Sequence, residues 1–163
     1  VFKMNIPKII RPNYDEIHDN GCTARVYEFE GLVFKTHRDN LPKKIQEFLN
    51  LEHELKMLQL AGDVNGLNTP KPFGIHQVTI APQYSSVSKV RKTLVMEKVN
   101  GRLLCDYKSG DELYTRAMGL WYDQKDVALN AGFLLGDAIT KNAIYNEEED
   151  KVTLIDLTNW VKR

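Results

Sequence analysis

The sequence is poor in cysteine and has no surplus of either charge. Two cysteines, Cys22 and Cys105, stand far apart in 163 residues. Such a pair makes no disulfide framework, and reduced thiols fit a cytosolic place of action. Lysine plus arginine and aspartate plus glutamate both number 22, so the formal net charge is zero. A general nucleic-acid binder needs a basic excess to neutralise phosphates, and this balance speaks against one. It leaves room for a local basic site. No apolar run reaches the roughly 20 residues of a membrane-spanning helix. The stretch Val1-Phe2-Lys3-Met4 lacks the apolar core of a secretory signal and a starting methionine, so a trimmed end is expected. The four histidines, His18, His37, His53 and His76, lack metal-ligand spacing. Internal repeats and low-complexity linkers are absent too. The hydrophobic share of 42% is enough for a sizeable core. One domain, or one small domain of two lobes, is expected.

What is present starts with β-type patterning. Residues 1–18, with Pro7 and Pro12, read as a lead-in packed on the first lobe, with a turn of helix over 13–17. Val26-Tyr27-Glu28-Phe29 and Leu32-Val33-Phe34-Lys35 flank Glu30-Gly31 and predict a hairpin. The small residues before it, Gly21 to Ala24, would let backbone N–H groups approach a phosphate. Lys35 follows three apolar residues. Period 2 places it on the face of Val33, away from Leu32 and Phe34. A lysine there either snorkels to the edge or points at a buried anion. Residues 42–60 predict one helix, with Pro42 in its first turn, Ile45, Phe48, Leu49, Leu55 and Leu58 at helical spacing, and Gly62 as the stop. Strands are expected over 73–80 and 92–99, with a loop over 81–88 between them and a turn at Asn100-Gly101. Residues 112–133 hold one helix or two. A final hairpin runs from Ala143-Ile144-Tyr145 through the acidic turn 146–150, expected to be solvated, to Val152–Ile155.

The residues of most chemical interest flank that hairpin. Asp137 is followed five positions later by Asn142, and Asp156 comes fourteen after that, at the end of an apolar strand. One base and two oxygen ligands for a metal are what phosphoryl transfer from a magnesium nucleotide to a hydroxyl needs. Read singly, Asp137 suits an Asx turn, Asn142 an ordinary turn, and Asp156 a strand end. Their joint spacing favours the chemical reading.

These stretches resemble, in order and spacing, the protein-kinase-like family. Asp19-x-Gly21-x-x-Ala24-x-Val26 is similar to its glycine-rich loop, with two of three glycines replaced. Lys35 matches the lysine of its third strand, and Glu54, nineteen residues on, matches the lysine's partner on the C-helix; Glu47 or Glu52 would serve if the helix were rotated. Leu94 to Gly101 resembles the last strand and hinge. Asp137 and Asn142 match the catalytic loop, and Asp156 matches the metal-binding aspartate. The resemblance implies an α+β, protein-kinase-like fold. It has a β-rich N-lobe with one C-helix over about 1–98, a hinge over about 97–101, and a minimal truncated C-lobe over about 102–163 that lacks an activation segment. It implies ATP and Mg2+ as cofactors. Gly21, Cys22, Thr23, Ala24, Val26, Lys35, Met96, Glu97 and Val99 would line the nucleotide. Lys35, Glu54 and Asp137 would be catalytic, and Asn142 and Asp156 would hold the metal. Asp106 would meet the ribose or merely solvate a loop. Lys141 is a candidate stand-in for a catalytic-loop lysine.

The motifs also depart from the family. Leu135 and Gly136 stand where it has His-Arg, Ile139 where it has lysine, and Leu157-Thr158 where it has Phe-Gly. The loop Gly21 to Tyr27 and the short C-lobe look most like the HopBF family of minimal type III effector kinases. That resemblance implies a monomeric serine/threonine kinase secreted into the host cytoplasm, acting on the host heat-shock protein 90 chaperone, with no nucleic-acid or membrane partner. Two other functions stay open. One is a small-molecule phosphotransferase of the aminoglycoside-kinase type, whose catalytic loop Gly136-Asp137 resembles. The other is a non-catalytic kinase-like inhibitor.

Overall fold

The computed structural model describes residues 4–18, 24–46 and 50–163. Gly21, Cys22 and Thr23 of the small-residue loop, the alternative Glu47, and Phe48 and Leu49 of the expected helix lie outside the described residues. The chain divides into two units, Val1–Leu55 with Pro72–Lys98, and Lys56–Lys71 with Val99–Arg163.

In the first unit the lead-in does more than pack. It supplies two short strands, β1 (Ile9–Ile10) and β2 (Ile17–His18), with a 3-10 turn at Tyr14–Glu16 between them. The hairpin follows as β3 (Ala24–Phe29) and β4 (Leu32–His37). Its two turn residues, Glu30 and Gly31, have φ of 49° and 76°. Positive φ at both central positions matches the right-handed twist of the flanking strands. Helix α1 (Lys43–Gln46) and the start of α2 (Leu51–Gly62, which is assigned to the second unit from Lys56 on) follow, and then β5 (Pro72–Ile80) and β6 (Lys89–Glu97). The sheet has six strands in the order β1-β5-β6-β4-β3-β2, so the two lead-in strands cover its opposite edges. Only β1 pairs in parallel.

One sheet face carries the core of this unit: Ile10, Tyr27, Leu32, Phe34, Val78, Ile80 and Val95. The alternate positions point the other way. Lys35 lies opposite Val26 on β3 and Leu94 on β6, and Val33 lies opposite Met96. Directly paired residues share a face, so Ala24, Val26, Val33, Lys35, Leu94 and Met96 line the second face.

Among the described residues, the helix expected over 42–60 does not run unbroken into α2. Asn50 is the reason: its side chain accepts the His53 N–H at 3.0 Å and its carbonyl accepts the Glu54 N–H at 3.0 Å. An asparagine that satisfies an orphan N–H starts a helix, and apolar spacing alone reads straight through it.

The second unit holds β7 (Arg102–Leu103), a single long helix α3 (Glu112–Asn130), β8 (Phe133–Leu134), β9 (Ala143–Asn146), β10 (Lys151–Leu154) and β11 (Val161–Lys162). The strands pair as β10-β9-β7 and β11-β8. Trp160 and Phe133, both buried, meet edge to face at 5.5 Å and close the end of the chain onto β8. The acidic turn is solvated, with Glu147 to Asp150 all exposed, and it is partnered as well. Asp150 accepts from Arg116 on α3 and from the Tyr145 hydroxyl, and Glu147 accepts from the Tyr107 hydroxyl at 2.7 Å. The Arg116 and Tyr145 hydrogen bonds hold the Asp150 carboxyl below its usual range. Burial, then the bond to Glu147, pushes Tyr107 up to about 12.

Candidate functional site

The first unit contributes a buried ion pair. Lys35 Nζ stands 2.8 Å from Glu54 Oε2, with side-chain exposures of 7% and 1%. Strand periodicity sends Lys35 away from the apolar core, and the Asn50 cap starts α2 so that Glu54 falls one turn inside it. Two residues earlier on the same helix, Glu52 is exposed and pairs with Lys92. The hydrogen bond from Lys92 keeps the Glu52 carboxyl below its usual range. The helix is therefore turned with Glu54, not Glu52, on Lys35. Ala24, Val26 and Met96 lie on the Lys35 face of the sheet. Glu97 lies on the opposite face, opposite Leu32, so its side chain does not join them. Val99 belongs to the second unit.

The second unit gathers three polar residues on two loops. Ala143 pairs with Leu154, and one step beyond that pair the Ile155 N–H donates to the Asn142 carbonyl at 2.9 Å. The hairpin register thus sets Asn142 beside the entry to Asp156. Asn142 Nδ2 donates to the Asp137 carbonyl at 2.8 Å, which ties the ends of the Asp137–Asn142 loop together. The same carbonyl accepts the Ile139 N–H at 2.8 Å. Asp137 and Asp156 both have φ of 58°. The left-handed region is sparsely populated by residues other than glycine, though aspartate and asparagine tolerate it best. Asp150 in the acidic turn has a positive φ too, 48°, so the conformation marks a tight turn at each of these aspartates. The Asp137 and Asp156 side chains are both exposed.

The donor set fits a hard cation. Asn142 turns its NH2 to the Asp137 carbonyl, so Oδ1 is the amide atom left to accept, and Asp156 brings a carboxylate. Oxygen donors in small number suit magnesium, which keeps several of its waters. Among the described residues no group of three or more His, Cys, Asp or Glu is placed to hold a metal; a carboxylate with an amide would be a different kind of donor set.

Packing explains two departures from the kinase motifs. Leu157, where the family has Phe, is fully buried, so the apolar anchor after the aspartate is kept. Gly136 stands where the family has Arg, and there is no room for a side chain: a Cβ there would lie 2.3 Å from the Asn159 carbonyl oxygen. Gly136→Ala therefore forces the 156–160 loop off its seat. The expected cost is about 1–3 kcal/mol, as for other overpacked sites, read as a lower urea midpoint. An unchanged midpoint would contradict the close approach.

Other candidates are placed as follows. Ile139 is 41% exposed and Lys141 is exposed. Asp106 uses its carbonyl to accept from Arg102 at 2.8 Å, while its carboxyl lies 3.8 Å from the exposed Cys105 thiol. Burial, then the Asp106 charge, raises the Cys105 pKa. Sequence reasoning missed Thr158, whose hydroxyl donates to Asp156 Oδ1 at 2.6 Å. A threonine two positions after an aspartate is a local side-chain bonding signal that could have found it.

No protein-family model matches the sequence, and no curated protein matches it. Solved structures do resemble the fold. The chain is similar to WbdD in co-crystal with the kinase inhibitor LY294002, with 19% identity and a TM-score of 0.63 over 88% of this chain and 32% of that one. A 2.2 Å structure of WbdD gives 20% identity and a TM-score of 0.62 over 87% and 31%. A structure described as the bifunctional kinase-methyltransferase WbdD gives 19% and 0.60 over 86% and 30%. The chain spans about a third of the length of these proteins. At this identity the likeness speaks for the fold, and the fold is α+β and kinase-like.

Proposed function

We propose that this protein is a magnesium- and ATP-dependent phosphotransferase. The observation that carries the proposal is the buried Lys35–Glu54 pair at 2.8 Å. A buried ion pair adds little stability over an apolar pair of the same volume, so its use lies in aiming an ammonium. On the sheet face lined by Ala24, Val26 and Met96, that ammonium is a fixed positive charge for nucleotide phosphates. The resemblance to a kinase glycine-rich loop adds backbone N–H groups from Gly21 to Ala24, and the hinge resemblance adds main-chain groups of Glu97 and Val99 for the adenine.

The second unit supplies the acceptor chemistry. By its resemblance to the kinase catalytic loop, Asp137 would take the proton of the attacking hydroxyl as that oxygen bonds to the γ-phosphorus and the bond from the phosphorus to ADP breaks. Asn142 Oδ1 and the Asp156 carboxylate would hold the cation. When bound, magnesium neutralises charge on the phosphate oxygens.

The finer reading is a protein serine/threonine kinase of the HopBF effector type, delivered by a type III system into host cytoplasm as a monomer and inactivating heat-shock protein 90. It rests on the resemblance of residues 21–27 and of the motif order. A small-molecule phosphotransferase is the second reading. What favours it is Gly136, whose place against Asn159 leaves no room for the arginine of a protein-kinase catalytic loop. The two separate in one assay with γ-labelled ATP, magnesium, purified heat-shock protein 90 and kanamycin. Label on serine or threonine of the chaperone is expected. Label on kanamycin alone would replace the protein-kinase reading with the second one.

A further inference from the structure

We infer that Thr158 is the positioning residue for the Asp156 carboxylate and sets the protein's affinity for a divalent cation. The inference rests on the phosphotransferase reading and names a residue that the kinase motifs do not supply, since they have glycine at this position. The Thr158 hydroxyl donates to Asp156 Oδ1 at 2.6 Å, the short distance of a hydrogen bond to a charged acceptor. Thr158 is itself held. Its neighbour Leu157 is fully buried and Trp160 is 1% exposed. The Trp160 N–H donates to the Leu157 carbonyl at 3.0 Å, closing the turn over Thr158. As a β-branched residue it has few χ1 choices. On its other side the turn is seated against Gly136 through Asn159.

This bond bears on how Asp156 is aimed. Asp156 is exposed, and its φ of 58° puts it outside ordinary strand geometry, so the strand before it does not aim the carboxylate. A hydroxyl on Oδ1 fixes the carboxylate plane. Groups that orient a metal-ligating carboxylate in this way are typically worth about 10–100-fold in metal affinity.

The test is Mn2+ titration of the full chain saturated with the β,γ-imido analogue of ATP, followed by electron paramagnetic resonance, with thermal unfolding alongside. Thr158→Val removes the hydroxyl and keeps the shape. Its Mn2+ dissociation constant should rise about tenfold, at the low end of that range, with the unfolding temperature unchanged. Thr158→Ser should restore binding to within about twofold of wild type, because the donor is back. Asp156→Asn should bind more weakly than either. Wild-type affinity in Thr158→Val beside a weakened Asp156→Asn overturns the inference and leaves the metal site standing. Thr158→Ser as weak as Thr158→Val, or a loss that tracks a lower unfolding temperature, also overturns it, because the role would then be structural. Equal binding by wild type and Asp156→Asn overturns the metal site and the inference together.

Discussion

Glu54→Ala lowers the free energy of unfolding by about 3–5 kcal/mol, the usual cost of stripping one partner from a buried ion pair. Lys35 is 6% exposed, so the change leaves its ammonium in the interior without the carboxylate that stands 2.8 Å away. Domain stabilities are of order 5–15 kcal/mol, so this loss is a large part of the total. Glu54→Gln keeps shape and an accepting oxygen and should lose less. The informative variant is the double replacement Lys35→Met with Glu54→Leu. Burying two apolar side chains in place of a pair is often neutral or stabilising by about 1–4 kcal/mol. The double variant should therefore recover most of the stability while phosphoryl transfer stays lost. Urea unfolding followed by circular dichroism reads the first part. A loss under 1 kcal/mol in Glu54→Ala would contradict the burial of the pair, and activity in the double variant would show that the pair does not aim a functional lysine.

The second large effect belongs to the acidic residues of the second unit. Asp137→Asn keeps the size of the side chain and removes its basicity. General-base catalysis is worth about 10²–10⁴-fold, and the turnover number should fall by that order while nucleotide affinity holds. The backbone should tolerate the change, because asparagine accepts a φ of 58° as readily as aspartate does. Asp156→Ala removes a proposed cation ligand and should abolish transfer altogether.

Local periodicity made parts of this molecule legible. The hairpin turn at Glu30-Gly31, the placing of Lys35 opposite the core face, and the final hairpin that delivers Asp156 all follow from patterns a few residues long. The choice of Glu54 over Glu52 was open in the sequence, because helical spacing does not say where the helix is clocked; the Glu52–Lys92 and Glu54–Lys35 pairs settle it. What stayed hidden depends on specific hydrogen bonds or on distant partners. Asn50 interrupts an apolar pattern that reads as one helix. The strands at Ile9 and Ile17 are too short to show a period and exist because the sheet has edges to cover. The acidic turn is solvated charge, but its partners Arg116 and Tyr107 come from elsewhere in the chain and no local pattern shows them. Gly136 looks like a lost arginine until Asn159 packs on it.

The central claim is that Asp156 and Asn142 serve a magnesium nucleotide whose γ-phosphoryl group leaves for a hydroxyl. Transfer of label from γ-labelled ATP in magnesium, measured for wild type, Asp137→Asn and Asp156→Ala at equal concentrations of folded protein, tests it most directly. The account predicts transfer by wild type, a residue of about 10⁻³ of it in Asp137→Asn, and none in Asp156→Ala. Equal label transfer by wild type and Asp156→Ala would contradict it.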